Sequence, residues 1–147
     1  MLRYSDSVLI QRPVADVFDY MDDVGRENEW QPNLQSAKQE PPVATAVGTR
    51  RHYVSGFLGR EIKNSYEVTA LEPNRLVRLE SLPGSTVSAT NEIRWAREGT
   101  GTRVTMTVEG KPKGALRFVP DAVIEAAFRS QMKNSLSLLK QRLEGEA

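Results

Sequence analysis

From Leu34 to Val108 the chain reads as one strand-like segment after another, each alternating apolar and polar residues and each ended by Pro or Gly turn signals. In Arg60 to Leu71, Ile62, Asn64, Tyr66 and Val68 share one face, and Glu61, Lys63, Ser65 and Glu67 the other. Thr86 to Arg97 sets Val87, Ala89, Asn91, Ile93 and Trp95 against Ser88, Thr90, Glu92 and Arg94. Thr102 to Glu109 sets Val104, Met106 and Val108 against Arg103, Thr105 and Thr107. Long one-sided strands joined by tight turns make an antiparallel sheet with one wet face. The apolar face then needs a cover, and the rest of the chain offers few pieces to build one.

Ahead of the run, Tyr4 to Gln11 reads as a strand. Pro13 suits the first helical position, where its missing N–H costs nothing. Val14, Val17, Phe18 and Met21 then recur at helical spacing until Asp22-Asp23-Val24-Gly25 breaks the pattern. A second short turn over Arg26 to Glu29 ends at Trp30-Gln31-Pro32. After the run, a long helix begins near Pro120, with a stripe of Val123, Ala127, Met132, Leu136, Leu139 and Leu143 and with Ile124 and Phe128 beside it. Gly56-Phe57-Leu58-Gly59, Glu72-Pro73-Asn74, Pro83-Gly84 and Gly99-Thr100-Gly101 mark turns. The reading is an α+β domain: a curved antiparallel sheet wrapped around a long C-terminal helix, with two short helices after the first strand. All of residues 1–147 form this single domain, since 147 residues suffice for one core.

Composition narrows the function. Twenty basic and 19 acidic residues are interleaved to a net charge of +1, so no basic stripe exists for phosphates and no nucleic acid is expected. With no cysteine there are no disulfides, thiolate metal sites or thiol nucleophiles. His52 is the one histidine and the acidic residues show no ligand spacing, so neither a metal nor a cofactor is expected. Gly99-Thr100-Gly101-Thr102 links two strands and opens no helix, which argues against a phosphate loop. The N-terminal residues lack a signal-peptide apolar region, and no apolar run approaches the ~18 residues that span a bilayer. The expectation is a soluble cytoplasmic protein without stable membrane insertion. A homodimer through a sheet edge or the helix pair is compatible with the sequence, which does not select it.

Several segments in this order resemble the SRPBCC or START-like helix-grip superfamily, in its polyketide cyclase/dehydrase-like branch. They are Arg12-Pro13-Val14-Ala15-Asp16-Val17-Phe18-Asp19-Tyr20, then Trp30-Gln31-Pro32, then Val47-Gly48-Thr49-Arg50. Tyr66 to Pro73, Gly101 to Thr105 and Leu138 to Glu144 complete the series. The resemblance covers nearly the whole chain. It implies an apolar cavity between sheet, long helix and short helices, and it implies no shared catalytic motif.

On that fold, Asn64, Tyr66 and Asn91 stand on the concave face among aliphatic neighbours, where polar groups need partners or a cavity. Trp30 is either a wedge at the helix–sheet junction or a pocket wall, and Trp95 either core or wall. Phe118, Phe128 and Met132 would lie along the gripped helix. Arg51 and Tyr53 share a parity opposite His52 and Val54, and the reading taken is that they point inward. An unpaired Arg51 would then attract a carboxylate or enolate. A one-residue slip would put Arg50 and His52 in that place instead. The expected function is binding of a small hydrophobic molecule, aromatic or lipid-like, by a carrier or sensor. The alternative is a polyketide cyclase/dehydrase-type enzyme using Arg51, Tyr53 and Tyr66. No clear acid–base pair is legible, so catalysis stays open.

Overall fold

In the computed structural model, residues 2–145 are described. Strand β1 (Leu2–Ile10) leads into helix α1 (Val14–Asp22) and a 3-10 turn (Val24–Glu29). Six strands follow: β2 (Leu34–Glu40), β3 (Arg50–Phe57), β4 (Arg60–Glu72), β5 (Leu76–Ser81), β6 (Val87–Glu98) and β7 (Gly101–Pro112). A second 3-10 turn (Gly114–Phe118) precedes the long helix α2 (Asp121–Gly145). The seven strands form one antiparallel sheet in the order β1-β7-β6-β5-β4-β3-β2, so the first strand closes beside the last and β2 forms the far edge.

The expected elements are present, with local differences that have physical causes. Pro13 lies just outside α1 rather than in its first position, and its carbonyl accepts from the amides of Asp16 and Val17 (3.1 and 3.2 Å). The β3–β4 hairpin is tighter than the four-residue signal suggests. Phe57 pairs with Arg60, and only Leu58 and Gly59 form the turn, at φ 52° and 73°. Two positive φ angles match the right-handed twist of the flanking strands. Register shifts between Leu34 and Ser36 in β2, and between Val68 and Ala70 in β4, mark bulges, which bend a sheet and increase its twist.

The helix stripe is offset from the expected one. Ile124, Leu136, Leu139 and Leu143 are buried, whereas Val123 is 46% exposed. At 100° per residue, Ile124, Phe128, Met132, Ser135, Leu139 and Leu143 follow one face, and Val123 falls to its flank. The two halves of α2 do different work. Leu136, Leu139 and Leu143 in the C-terminal half are almost wholly buried with Ile10, Val17 and Val104 in one core. Each such side chain contributes about 1.5–3 kcal/mol relative to exposure. That end is also tied down by hydrogen bonds: Lys140 Nζ to the Leu9 carbonyl at 2.8 Å, and Arg12 Nη1 to the Leu143 carbonyl at 2.6 Å. The middle of the helix carries Phe128, Gln131, Met132 and Ser135, which leave space between themselves and the sheet.

Candidate functional site

That space is a cavity of about 220 Å³, bounded by the concave face of the sheet, α2 and the segment around Trp30. Strand alternation decides which side chains reach it. Arg51, Tyr53, Ser55 and Phe57 of β3 line it, as do Ile62, Asn64 and Tyr66 of β4. His52 faces the other way, with Nδ1 at 2.7 Å from Ser65 Oγ and Nε2 at 2.9 Å from Glu40 Oε2. The walls are largely apolar: Met21, Leu34, Leu79, Val87, Ile93 and Met106, among others. Phe57 and Phe128 meet across it at 4.7 Å between ring centroids.

Two polar groups interrupt the apolar lining. The first is built around Glu27, on the 3-10 turn after α1. This carboxyl is 5% exposed; Oε1 accepts from the Tyr53 hydroxyl at 2.8 Å and Oε2 from Gln31 Nε2 at 2.9 Å. Burial pushes its pKa up to about 7, against the pull of the Arg51 charge and the Tyr53 hydrogen bond. Arg51 lies alongside, but its guanidinium is committed to the protein. Nη2 pairs with Asp22 Oδ1 at 2.8 Å and donates to Thr45 Oγ1 at 3.1 Å, while Nε donates to Gln39 Oε1 at 3.0 Å. The expected unpaired guanidinium is therefore corrected: Arg51 points inward, but a carboxylate on α1 already neutralises it. Burial and the neighbouring Glu27 charge raise the Tyr53 hydroxyl well above its ordinary pKa, so it donates rather than ionises.

The second group joins β4 to β6. Asn64 bridges the strand start at Val87 like a piece of backbone, its Oδ1 accepting from the Val87 amide at 3.0 Å and its Nδ2 donating to the Val87 carbonyl at 2.9 Å. Nδ2 also donates to the Tyr66 hydroxyl at 2.9 Å. Burial raises the Tyr66 pKa, and Asn64 and Asn91 pull it back. The Tyr53 and Tyr66 rings meet edge to face at 5.9 Å. Asn91 Oδ1 and Trp30 Nε1 are buried without a hydrogen-bond partner, and both residues line the cavity.

The fold thus brings Trp30, Tyr53, Asn64, Tyr66, Asn91, Phe128 and Met132 to one cavity, together with Arg51. It does not bring Trp95 or Phe118 there. Trp95 packs edge to face on Phe18 at 4.8 Å and donates from Nε1 to Met21 Sδ at 3.3 Å, so its polar handle is used inside the core. Phe118 ends the 3-10 turn before α2 and is 77% exposed, with the Arg117 guanidinium 4.8 Å from its ring, whereas Leu116 of the same turn is buried. Glu27, Gln31, Asn33, Gln131 and Ser135 also line the cavity, and no sequence pattern marks them as doing so. In a six-residue turn, Val24-Gly25-Arg26-Glu27-Asn28-Glu29, no periodicity distinguishes the buried carboxyl from its solvated neighbours. The available signal was weaker: Glu27 lies three residues before a buried tryptophan. Among the described residues no three His, Cys, Asp or Glu side chains stand together as a metal site, and no helix is long and apolar enough to cross a membrane.

Comparison with known proteins agrees with this architecture. The whole chain superposes on solved structures of low sequence identity. A START superfamily protein from Mycobacterium smegmatis has a TM-score of 0.83 at 12% identity, covering 99% of this chain and 99% of that one. The Zhui aromatase/cyclase from a Streptomyces species has a TM-score of 0.80 at 15% identity, covering 97% and 93% respectively. A protein from Thermus thermophilus follows at 0.74 and 16% identity, covering 94% and 97%. No curated protein sequence matches the chain. A family model described as polyketide cyclase / dehydrase and lipid transport matches residues 1–144. The chain is therefore a member of that family, with the START-like helix-grip fold.

Proposed function

We propose that this protein binds a small hydrophobic molecule, aromatic or lipid-like, in the cavity between sheet and α2, as a carrier or sensor. The observation that carries the reading is the cavity itself: about 220 Å³, walled mainly by aliphatic and aromatic side chains, with a few fixed polar groups to orient a guest. Ligand pockets have this make-up, and at about 300–1,000 Å³ they are usually larger. The size favours a guest of one or two rings or a short acyl chain. Membership of a family described by both lipid transport and polyketide cyclisation supports binding in general terms.

A second reading, a polyketide cyclase/dehydrase-type enzyme, draws support from Glu27. A buried carboxyl with a pKa of about 7 can take and return a proton at neutral pH. In aldol closure it would remove a proton from the carbon next to a ketone. The Tyr66 hydroxyl and Asn91 amide would hold the enolate oxygen while the enolate carbon adds to a second carbonyl of the same molecule. The new alkoxide takes the proton back from Glu27, and the resulting hydroxyl then leaves with a neighbouring C–H proton as water.

Native mass spectrometry of the purified protein, then denaturing extraction, tests the binding reading. The expected result is a co-purifying or added small apolar guest at one per chain. Its affinity should fall about tenfold in Asn91→Leu and stay unchanged in His52→Ala, whose side chain lies on the outer face. A protein that takes up no aromatic or acyl probe overturns the reading.

A further inference from the structure

The charge count at the polar end of the cavity points to the kind of ligand it accepts. Among the described residues, three charged side chains line the cavity: Glu27, Arg51 and Glu92. Glu92 is paired with two arginines outside the cavity lining, Arg78 at 3.4 Å and Arg94 at 2.9 Å, whose side chains are 49% and 58% exposed. Arg51 is the cation of the wall, and Asp22 already compensates it at 2.8 Å, with Gln39 and Thr45 occupying further N–H groups. Glu27 receives only neutral donors, the Tyr53 hydroxyl and the Gln31 amide. Asp22, Glu27 and Arg51 together are therefore neutral while Glu27 holds its proton and carry one negative charge once it is lost. They are never net positive. An entering carboxylate would find no unpaired cation and would meet a buried carboxyl at short range, in a medium that screens charge poorly.

The unsatisfied groups point the same way. Trp30 Nε1 is a donor and Asn91 Oδ1 an acceptor; both are uncharged, both are buried without a protein partner, and both belong to residues that line the cavity. A buried donor or acceptor left without a partner keeps its full desolvation penalty. A hydroxyl can give a hydrogen to the asparagine oxygen, and a carbonyl or hydroxyl oxygen can accept from the indole.

We propose that the cavity selects an uncharged hydrophobe bearing a hydroxyl or carbonyl oxygen, such as a phenol, and discriminates against carboxylates. This inference rests on the ligand-binding reading above. The groups facing Glu27 are Arg51 and Tyr53 from β3, Asp22 from α1 and Gln31 after the 3-10 turn. The α2 residues on the cavity, Phe128, Gln131, Met132 and Ser135, are uncharged. Since burial sets the Glu27 pKa at about 7, the discrimination should deepen as pH rises through neutrality.

Isothermal titration with 2-naphthol and 2-naphthoate, which share one ring system, tests the proposal at about pH 5.5 and pH 8. Naphthoate is ionised at both values, so its own titration does not enter. At the higher pH, naphthol should bind at least about tenfold more tightly in the wild-type protein. Naphthoate should gain about threefold or more on lowering the pH. Glu27→Gln should raise naphthoate affinity at the higher pH and remove its pH dependence. Equal affinity of the two probes at the higher pH overturns the inference and leaves the binding reading intact. Naphthoate affinity that responds neither to pH nor to Glu27→Gln also overturns it. If neither probe binds, this inference fails and so does the aromatic form of the binding reading, with acyl probes left to decide the lipid-like form.

Discussion

Replacing Glu27 by glutamine should change how stability depends on pH, with a sign that the site dictates. In the unfolded chain this carboxyl has the ordinary value of 4.5, and in the folded protein burial raises it to about 7. Below about 4.5 both states hold the proton and the carboxyl carries no penalty. Between the two values the unfolded state has released its proton while the folded state keeps it, so stability falls as pH rises. Above about 7 both states are ionised and the loss is complete. At about 1.4 kcal/mol per pH unit, the separation of the two values corresponds to about 3 kcal/mol. Glutamine is neutral throughout and can still accept from the Tyr53 hydroxyl, while a rotation of the Gln31 amide keeps the second contact. The variant should therefore match or slightly trail the wild type at about pH 5 and exceed it by about 2–3 kcal/mol at about pH 8. Urea unfolding at four pH values between these limits measures it. With a slope of about 2 kcal/mol per molar, the midpoints should separate by about 1 M or more at the alkaline end. Other titrating groups cancel in the difference between the two proteins. A difference that stays flat from pH 5 to 8, or grows toward acid, would falsify the reasoning.

Two further predictions concern the frame around the site. Arg51→Met removes the cation facing Asp22, whose side chain is 24% exposed and so partly hydrated, and should cost about 2–4 kcal/mol in chemical denaturation. Adding Asp22→Asn should recover part of that loss, and a single-variant cost below about 1 kcal/mol would show the pair to be energetically idle. Gly101→Ala would place a methyl 2.5 Å from the Ile10 carbonyl oxygen, where β7 starts against β1, so it should destabilise by about 1–3 kcal/mol. Thermal unfolding checks this; an unchanged midpoint would mean that the backbone there yields.

The two-residue alternation of Ile62, Asn64, Tyr66 and Val68 was enough to place these side chains on the concave face, because strand periodicity is local and repeated. The same logic placed Tyr53 inward and His52 outward, although only cross-strand pairing of Tyr53 with Asn64 removes the one-residue ambiguity. The helix stripe expected from the sequence differs from the buried one at Val123 because valine, alanine and isoleucine occur together there and several angular offsets fit equally well. Only packing against the sheet chooses Ile124.

By itself the sequence determined the order of elements, the inner and outer faces of most strands, and the absence of cysteine chemistry. Those properties depend on neighbours within a few residues, where covalent geometry enforces a period. Tertiary structure alone decided that Glu27 is buried under Tyr53, that Asp22 neutralises Arg51, and that Trp95 belongs to the core rather than the cavity. These outcomes join residues 26, 29 and 77 positions apart. The charge state of the cavity is the sum of such distant encounters, and no local pattern encodes it.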